Sequence, residues 1–159
     1  MIVIYHDVGG AHSAATAANI HINKLPMDRI PSKNELLSLP TFDKIKKEQL
    51  GHLIYIGEDE TKTKIYTLAR QYVPNLVIPA IADMYCIFHG STDQLFMADT
   101  KPAVNFLMKI GGYTSRKLNW VRFGRPIVTK GTQDAYMDIV NIVKGVKSNI
   151  KKQLLDNNY

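Results

Sequence analysis

The sequence predicts an α/β fold: three layers, a mainly parallel sheet with helices on both faces and an inserted β-hairpin, P-loop-like or Rossmann-like in organisation. Three observations carry this. Residues 2–5 are apolar at every position, as in a strand covered on both sides. Gly9 and Gly10 then separate that strand from an alanine-rich run, the layout of a strand–turn–helix unit. Beyond it, short β-rich runs alternate with helical ones over most of the chain. A length of 159 residues suits one domain, 1–159, large enough to bury a core between helices and sheet.

The first helix is predicted to run to about Asn23, with Ala14, Ala15, Ala17 and Ala18 small enough to lie close on the sheet. Residues 27–49 are polar and broken by Pro31 and Pro40, with short helical pieces over 32–39 and 42–50. Ser32 and Glu35 have the spacing of a capping box. This segment reads as a connection covering a sheet edge or the glycine loop. Runs 52–56 and 64–69 flank a turn rich in Glu58, Asp59 and Glu60, which predicts a hairpin with an acidic, mobile, solubilising tip.

Residues 76–78 are predicted as a short strand, and Pro79 fits the first turn of a helix over 80–88 that Gly90 ends. Residues 94–100 form an apolar strand ending at Asp99. A helix over 103–110 starts at Pro102 and is closed by Gly111 and Gly112, and residues 120–128 are of β type around Gly124 and Pro126. The last helix opens near Thr132 and runs to about Leu155, with an apolar stripe of Ile139, Val143, Val146, Ile150 and Leu154 edged by lysines. The residues from Asp156 to Tyr159 are expected to fray.

A hydrophobic share of 45% and a charged share of 21% exclude disordered and fibrous classes. No apolar run approaches the roughly 18 residues of a membrane span, and the amino end lacks the pattern of a signal peptide. The one cysteine, Cys86, permits no internal disulfide and is expected as a buried thiol among Met84, Tyr85, Ile87 and Phe88. These features predict a cytoplasmic protein with no membrane partner. A net charge of +6 favours acidic partners: nucleotides, phosphorylated metabolites or, less favoured, nucleic acid through the lysine-edged last helix.

The candidate site is the loop between the first strand and helix. Amides of Gly9, Gly10, Ala11, His12 and Ser13 are expected as unpaired donors at a helix start, where the helix dipole also favours an anion. The eight residues from His6 to Ser13 occupy the place of a phosphate-binding P-loop, with Ser13 where that motif has its Mg²⁺ ligand. His12 stands for the lysine, Ala11 for the second glycine and His6 for the first. His12 is suited to hold a proton over bound phosphate or to act as acid or base, or else simply packs at the helix start. His6 and Asp7 are placed to orient each other or a bound group, though Asp7 equally suits a plain turn.

Asp99, ending an apolar strand, resembles the carboxylate that holds Mg²⁺ in nucleotide hydrolases, and adjacent parallel strands would bring it to Ser13. Asp99 also suits capping of the next helix. Arg116, Lys117, Arg122, Arg125 and Lys130 form a further basic cluster, of which Arg125 and Lys130 are candidate phosphate contacts. Together these predict binding of a phosphorylated ligand or nucleotide, with phosphoryl transfer or hydrolysis as an extension. The alternative is a non-enzymatic regulatory or protein-interaction module, in which the loop stabilises the fold or docks an acidic segment.

The run from Tyr5 to Ser13, with Ala17-Ala18-Asn19-Ile20-His21 and Leu25-Pro26 after it, resembles a bacterial family of unknown function, number 3189 among the domains of unknown function. Further similarity lies at Ala98-Asp99-Thr100, from Asn105 to Gly112, at Gly124-Arg125-Pro126 and at Gly131-Thr132-Gln133. The resemblance implies a free-standing bacterial cytoplasmic protein. It assigns no activity to any residue.

Overall fold

The computed structural model describes residues 1–117 and 120–156, without the side chains of Arg116, Lys117 and Val121. Its centre is a four-stranded sheet of β1 (Ile2–Asp7), β2 (Leu53–Glu58), β3 (Lys64–Ala69) and β4 (Leu95–Asp99), in the order β2-β3-β1-β4. β1 pairs in parallel with β3 on one side and β4 on the other, and β2 joins β3 antiparallel as the inserted hairpin. Side chains alternate across a strand. Val3 and Tyr5 therefore enter the main core while Ile4 and His6 point the other way, and all four are buried. That is why β1 is an unbroken apolar run.

The chain leaves β1 for β3 on one side and returns from β3 to β4 on the other. Right-handed crossovers then place α1 (Ser13–His21) and α3 (Pro74–His89) on opposite faces. On the first face Ala14, Ala17 and Ala18 of α1 pack with Ile139, Val143 and Ile150 of α6 (Tyr136–Asp156) over Val3, Tyr5 and Ile65. α2 (Lys33–Ser38) begins with the expected box: Glu35 N donates to Ser32 Oγ at 3.2 Å, and Ser32 N donates to Glu35 Oε2 at 2.7 Å.

Several expectations are corrected. Residues 42–50 hold only a 3-10 turn, Lys47–Gln49. No strand covers 76–78, because α3 is continuous from Pro74, with Pro79 inside it. The hydrogen bond Pro79 forfeits is to the carbonyl of Asn75, an exposed residue in the first turn, where the loss costs less than it would in an interior. Cys86 is exposed rather than buried. The helix predicted over 103–110 is a 3-10 turn, Lys101–Ala103, followed by α4 (Phe106–Gly112), which Asn105 caps by accepting from Met108 N at 2.9 Å.

Gly111 and Gly112 do not stop that helix. The chain continues through a π-turn, Tyr113–Lys117, and residues 120–128 form no strand: Trp120 is the N-cap of α5 (Val121–Asp134) and the rest lie within it. The glycines there are packing residues. A Cβ on Gly111 would lie 2.4 Å from Val128 N and one on Gly124 2.3 Å from Ser115 N, so bare backbone lets α4 and α5 touch. The last helix consequently opens at Tyr136, a few residues later than expected.

The hairpin tip is also not simply solubilising. Asp59 is buried, accepting from Thr61 N at 2.8 Å and Thr63 N at 3.0 Å through Oδ1 and from His21 Nε2 at 3.1 Å through Oδ2. Glu60 remains outside and pairs with Lys147 at 3.0 Å. Of the residues expected to fray, Asp156 still belongs to α6, and 157–159 lie outside the described ones.

Candidate functional site

The parallel strands β3, β1 and β4 end together, and the candidate residues gather at that edge, where open α/β sheets receive ligands. Asp7 is the hub. Its Oδ1 accepts from Gly9 N at 2.8 Å and from Gly10 N, while its Oδ2 accepts from Ala14 N at 3.1 Å and from Ser13 Oγ. The loop bends tightly enough for this because Gly10 sits at φ +68, and a Cβ there would lie 2.9 Å from Ala69 N. Arg70 N to Asp7 O at 3.0 Å and Gln71 N to Val8 O at 3.1 Å tie the same loop to the end of β3.

The expectation of five unpaired amides is therefore corrected. The protein's own carboxylate occupies Gly9 and Gly10, and the consecutive amides of Ala11, His12 and Ser13 are the ones with no acceptor among the described residues. Ser13 does not meet Asp99. Its hydroxyl donates to Asp7 and accepts from Thr100 Oγ1 at 2.9 Å, one residue beyond Asp99.

His12 is fastened from outside the loop. Its Nε2 lies 3.0 Å from Asp43 Oδ1 and its ring meets Phe42 edge-on, with centroids 5.5 Å apart. Asp43 adopts φ +54, its amide donates to Ala11 O at 3.1 Å, and its Oδ2 accepts from Ser115 Oγ at 2.8 Å and Arg125 Nε at 3.0 Å. Burial pushes the Asp43 carboxyl up, but the hydrogen bonds from His12, Arg125 and Ser115 outweigh it and hold the carboxyl below its usual range. With Nε2 turned to a carboxylate, the proton sits there, so Nδ1 is the basic nitrogen of the neutral ring. Nδ1 lies beside Gly112, where a Cβ would come within 3.4 Å, and has no partner among the described residues. The side chain of His12 keeps 12% of its surface exposed and that of Arg125 34%, the guanidinium holding Asp43 by Nε alone.

A second cluster spans the strand ends. Arg70, almost wholly buried, donates from Nε to His6 Nδ1 at 3.0 Å and from Nη2 to Asp99 Oδ2 at 3.0 Å. Because arginine only donates, His6 must accept on Nδ1, which fixes it as a neutral ring with its proton on Nε2. Burial lowers the basicity of His6, Asp99 opposes this and Arg70 reinforces it. Asp99 also accepts from Lys101 N at 2.9 Å, as a cap on the following turn. Each oxygen of Asp99, the expected Mg²⁺ ligand, thus has one donor from the protein, and among the described residues no group of three or more His, Cys, Asp or Glu is arranged to hold a metal ion.

Lys130 pairs with Asp134 on the surface of α5, at 2.7 Å. The side chains of Arg116 and Lys117 lie outside the described part. Sequence reasoning missed Asp43, Arg70, Thr100 and Ser115. Arg70 had a signal: like Asp7 and Asp99 it is the polar residue that ends an apolar β-run. Asp43 and Ser115 had none, since only the folded chain brings them to His12. His21 stands apart from the edge, fully buried, accepting from Tyr5 Oη at 2.7 Å on Nδ1.

The family model described as "Protein of unknown function (DUF3189)" matches residues 2–148, and the chain belongs to that family. No curated protein and no solved structure matches it. No described helix is long and apolar enough to cross a membrane.

Proposed function

We propose that this protein binds a small phosphorylated ligand, a nucleotide first among the candidates, at the start of α1. The supporting observation is the run of three consecutive amides at Ala11, His12 and Ser13 without an acceptor among the described residues, in a loop where Ala11 and Ser13 are wholly buried. Buried backbone donors are rarely left unpaired, and successive amides at a helix start form a nest for an anion. Arg125 adds the Nη end of its guanidinium, which has no partner among the described residues, and His12 Nδ1 is the group placed to take or return a proton beside a bound oxyanion. Asp7 and Asp43 serve as fixtures of this cup: one shapes the loop, the other orients His12 and Arg125. In this reading the protein works in the bacterial cytoplasm.

Titration calorimetry with inorganic phosphate and a panel of nucleotides, with and without Mg²⁺, tests the reading. Binding is expected for at least one probe, weakened about tenfold by Arg125→Lys, which keeps the charge and loses the fork. Absence of heat from every probe, or an affinity indifferent to Arg125→Lys, overturns it.

A further inference from the structure

α3 is at odds with its surroundings. Between Pro74 and His89 it carries a single charged residue, Asp83, yet none of its residues is buried. A helix this apolar belongs in an interior. Tyr72, Val73, Leu76, Met84, Ile87 and Phe88 are between 49% and 80% exposed. Together they expose on the order of 800 Å², most of it apolar, more than the largest patch of a typical monomer and about what one partner gives to a standard interface.

The pattern within the patch identifies its occupant. At 100° per residue, Val73, Leu76, Ala80, Met84 and Ile87 fall on one outward stripe about 80° wide. The stripe is chemically symmetric about Ala80: Leu76 and Met84 lie four residues to either side, and Val73 and Ile87 seven. An antiparallel copy with its axis at Ala80 sets Leu76 against Met84 and Val73 against Ile87, with the smallest side chain at the crossing, where the two backbones come closest. A surface that matches its own reverse is what a two-fold, isologous contact requires. Charge agrees. Copies with a net charge of +6 repel each other through the lysines of α6, whereas α3 has no lysine or arginine.

We infer that a second copy of this chain covers α3, forming a two-fold dimer with antiparallel α3 helices crossing at Ala80. The face is separate from the loop at α1, so this stands whether or not that loop binds an anion. Sedimentation velocity on the full chain is expected to give twice the 17.9 kDa mass. Leu76→Glu combined with Ile87→Glu is expected to give the monomer mass with an unchanged far-ultraviolet circular dichroism spectrum, and Phe106→Glu, an exposed apolar residue on α4, to leave the dimer intact. Ala80→Cys in a Cys86→Ser background is expected to form an intermolecular disulfide under mild oxidation. A chain that is monomeric at every concentration, a monomer that instead floats with lipid vesicles, a dimer that survives the double substitution, or a dimer that Ala80→Cys fails to cross-link overturns the inference.

Discussion

Both ends of α1 carry a histidine whose Nε2 faces an aspartate far away in sequence, and the two pairs behave differently. At the carboxyl end His21 also accepts from Tyr5, and the free oxygen of Asp59 is spent on Thr61 and Thr63 in its own turn, so every polar atom of the pair is paired inside the protein. At the amino end the second oxygen of Asp43 reaches Ser115 and Arg125, and Nδ1 of His12 has no partner among the described residues. The same two side chains make a closed fastening at one end and an open one at the other. What separates them is where the remaining atoms go.

The largest expected effect comes from breaking the closed pair. Asp59→Ala removes the acceptor of two amides, a threonine hydroxyl and a buried histidine at once, and truncating one partner of a buried network typically costs about 3–5 kcal/mol. Urea unfolding should show a loss of that order, while phosphate affinity of the folded fraction stays at the wild-type value. A loss below about 1 kcal/mol would mean that the closed end is not what pins the hairpin to α1.

Breaking the open pair should look different. Asp43→Asn keeps the shape of the side chain but halves its capacity to accept, at a cost of about 1–3 kcal/mol. It also frees His12 and Arg125 from their shared carboxylate. Affinity for phosphate is therefore expected to change with stability, which Asp59→Ala does not produce. Should Asp43→Asn lower stability and leave affinity untouched, the two ends of α1 would be equivalent after all, both purely structural.

How much of this contrast is written in the sequence differs for the two ends. β1, the start of α1, the Ser32 box and the hairpin were legible because period, caps and turn residues act over a few positions. The loop of Gly9 to Ser13 was legible as a site for the same reason, but its occupant was not: Asp7 reads equally as a turn residue until its oxygens are seen on Gly9 and Gly10. Asp59 was misread because an acidic turn is ordinarily solvated, and the histidine that draws it inward lies 38 residues away. Gly111 and Gly124 misled for a related reason. They signal helix ends or strand bends locally, whereas here each is required by a backbone from another part of the chain. Long-range partners decided every one of these cases.

The smallest expected effect is the response to pH, and it probes the buried histidines alone. Burial lowers the pKa of His21, with Lys147 adding to the shift and Asp59 opposing it, and burial likewise lowers that of His6. The unfolded chain, with histidines near 6.5, then takes up protons before the folded one as pH falls. Their contribution to stability is complete above about pH 6.5 and is lost progressively below it. Asp43 and Asp59, held below the usual carboxylate range by hydrogen bonds that outweigh their burial, add a further loss only below about pH 4. Urea midpoints between about pH 8 and pH 5 should therefore decline with acidity through the histidines alone. His21→Gln should flatten part of that decline, His6→Gln another part, and the double variant nearly all of it. A double variant that keeps the wild-type slope would show that the closed end of α1 does not hold its histidine neutral.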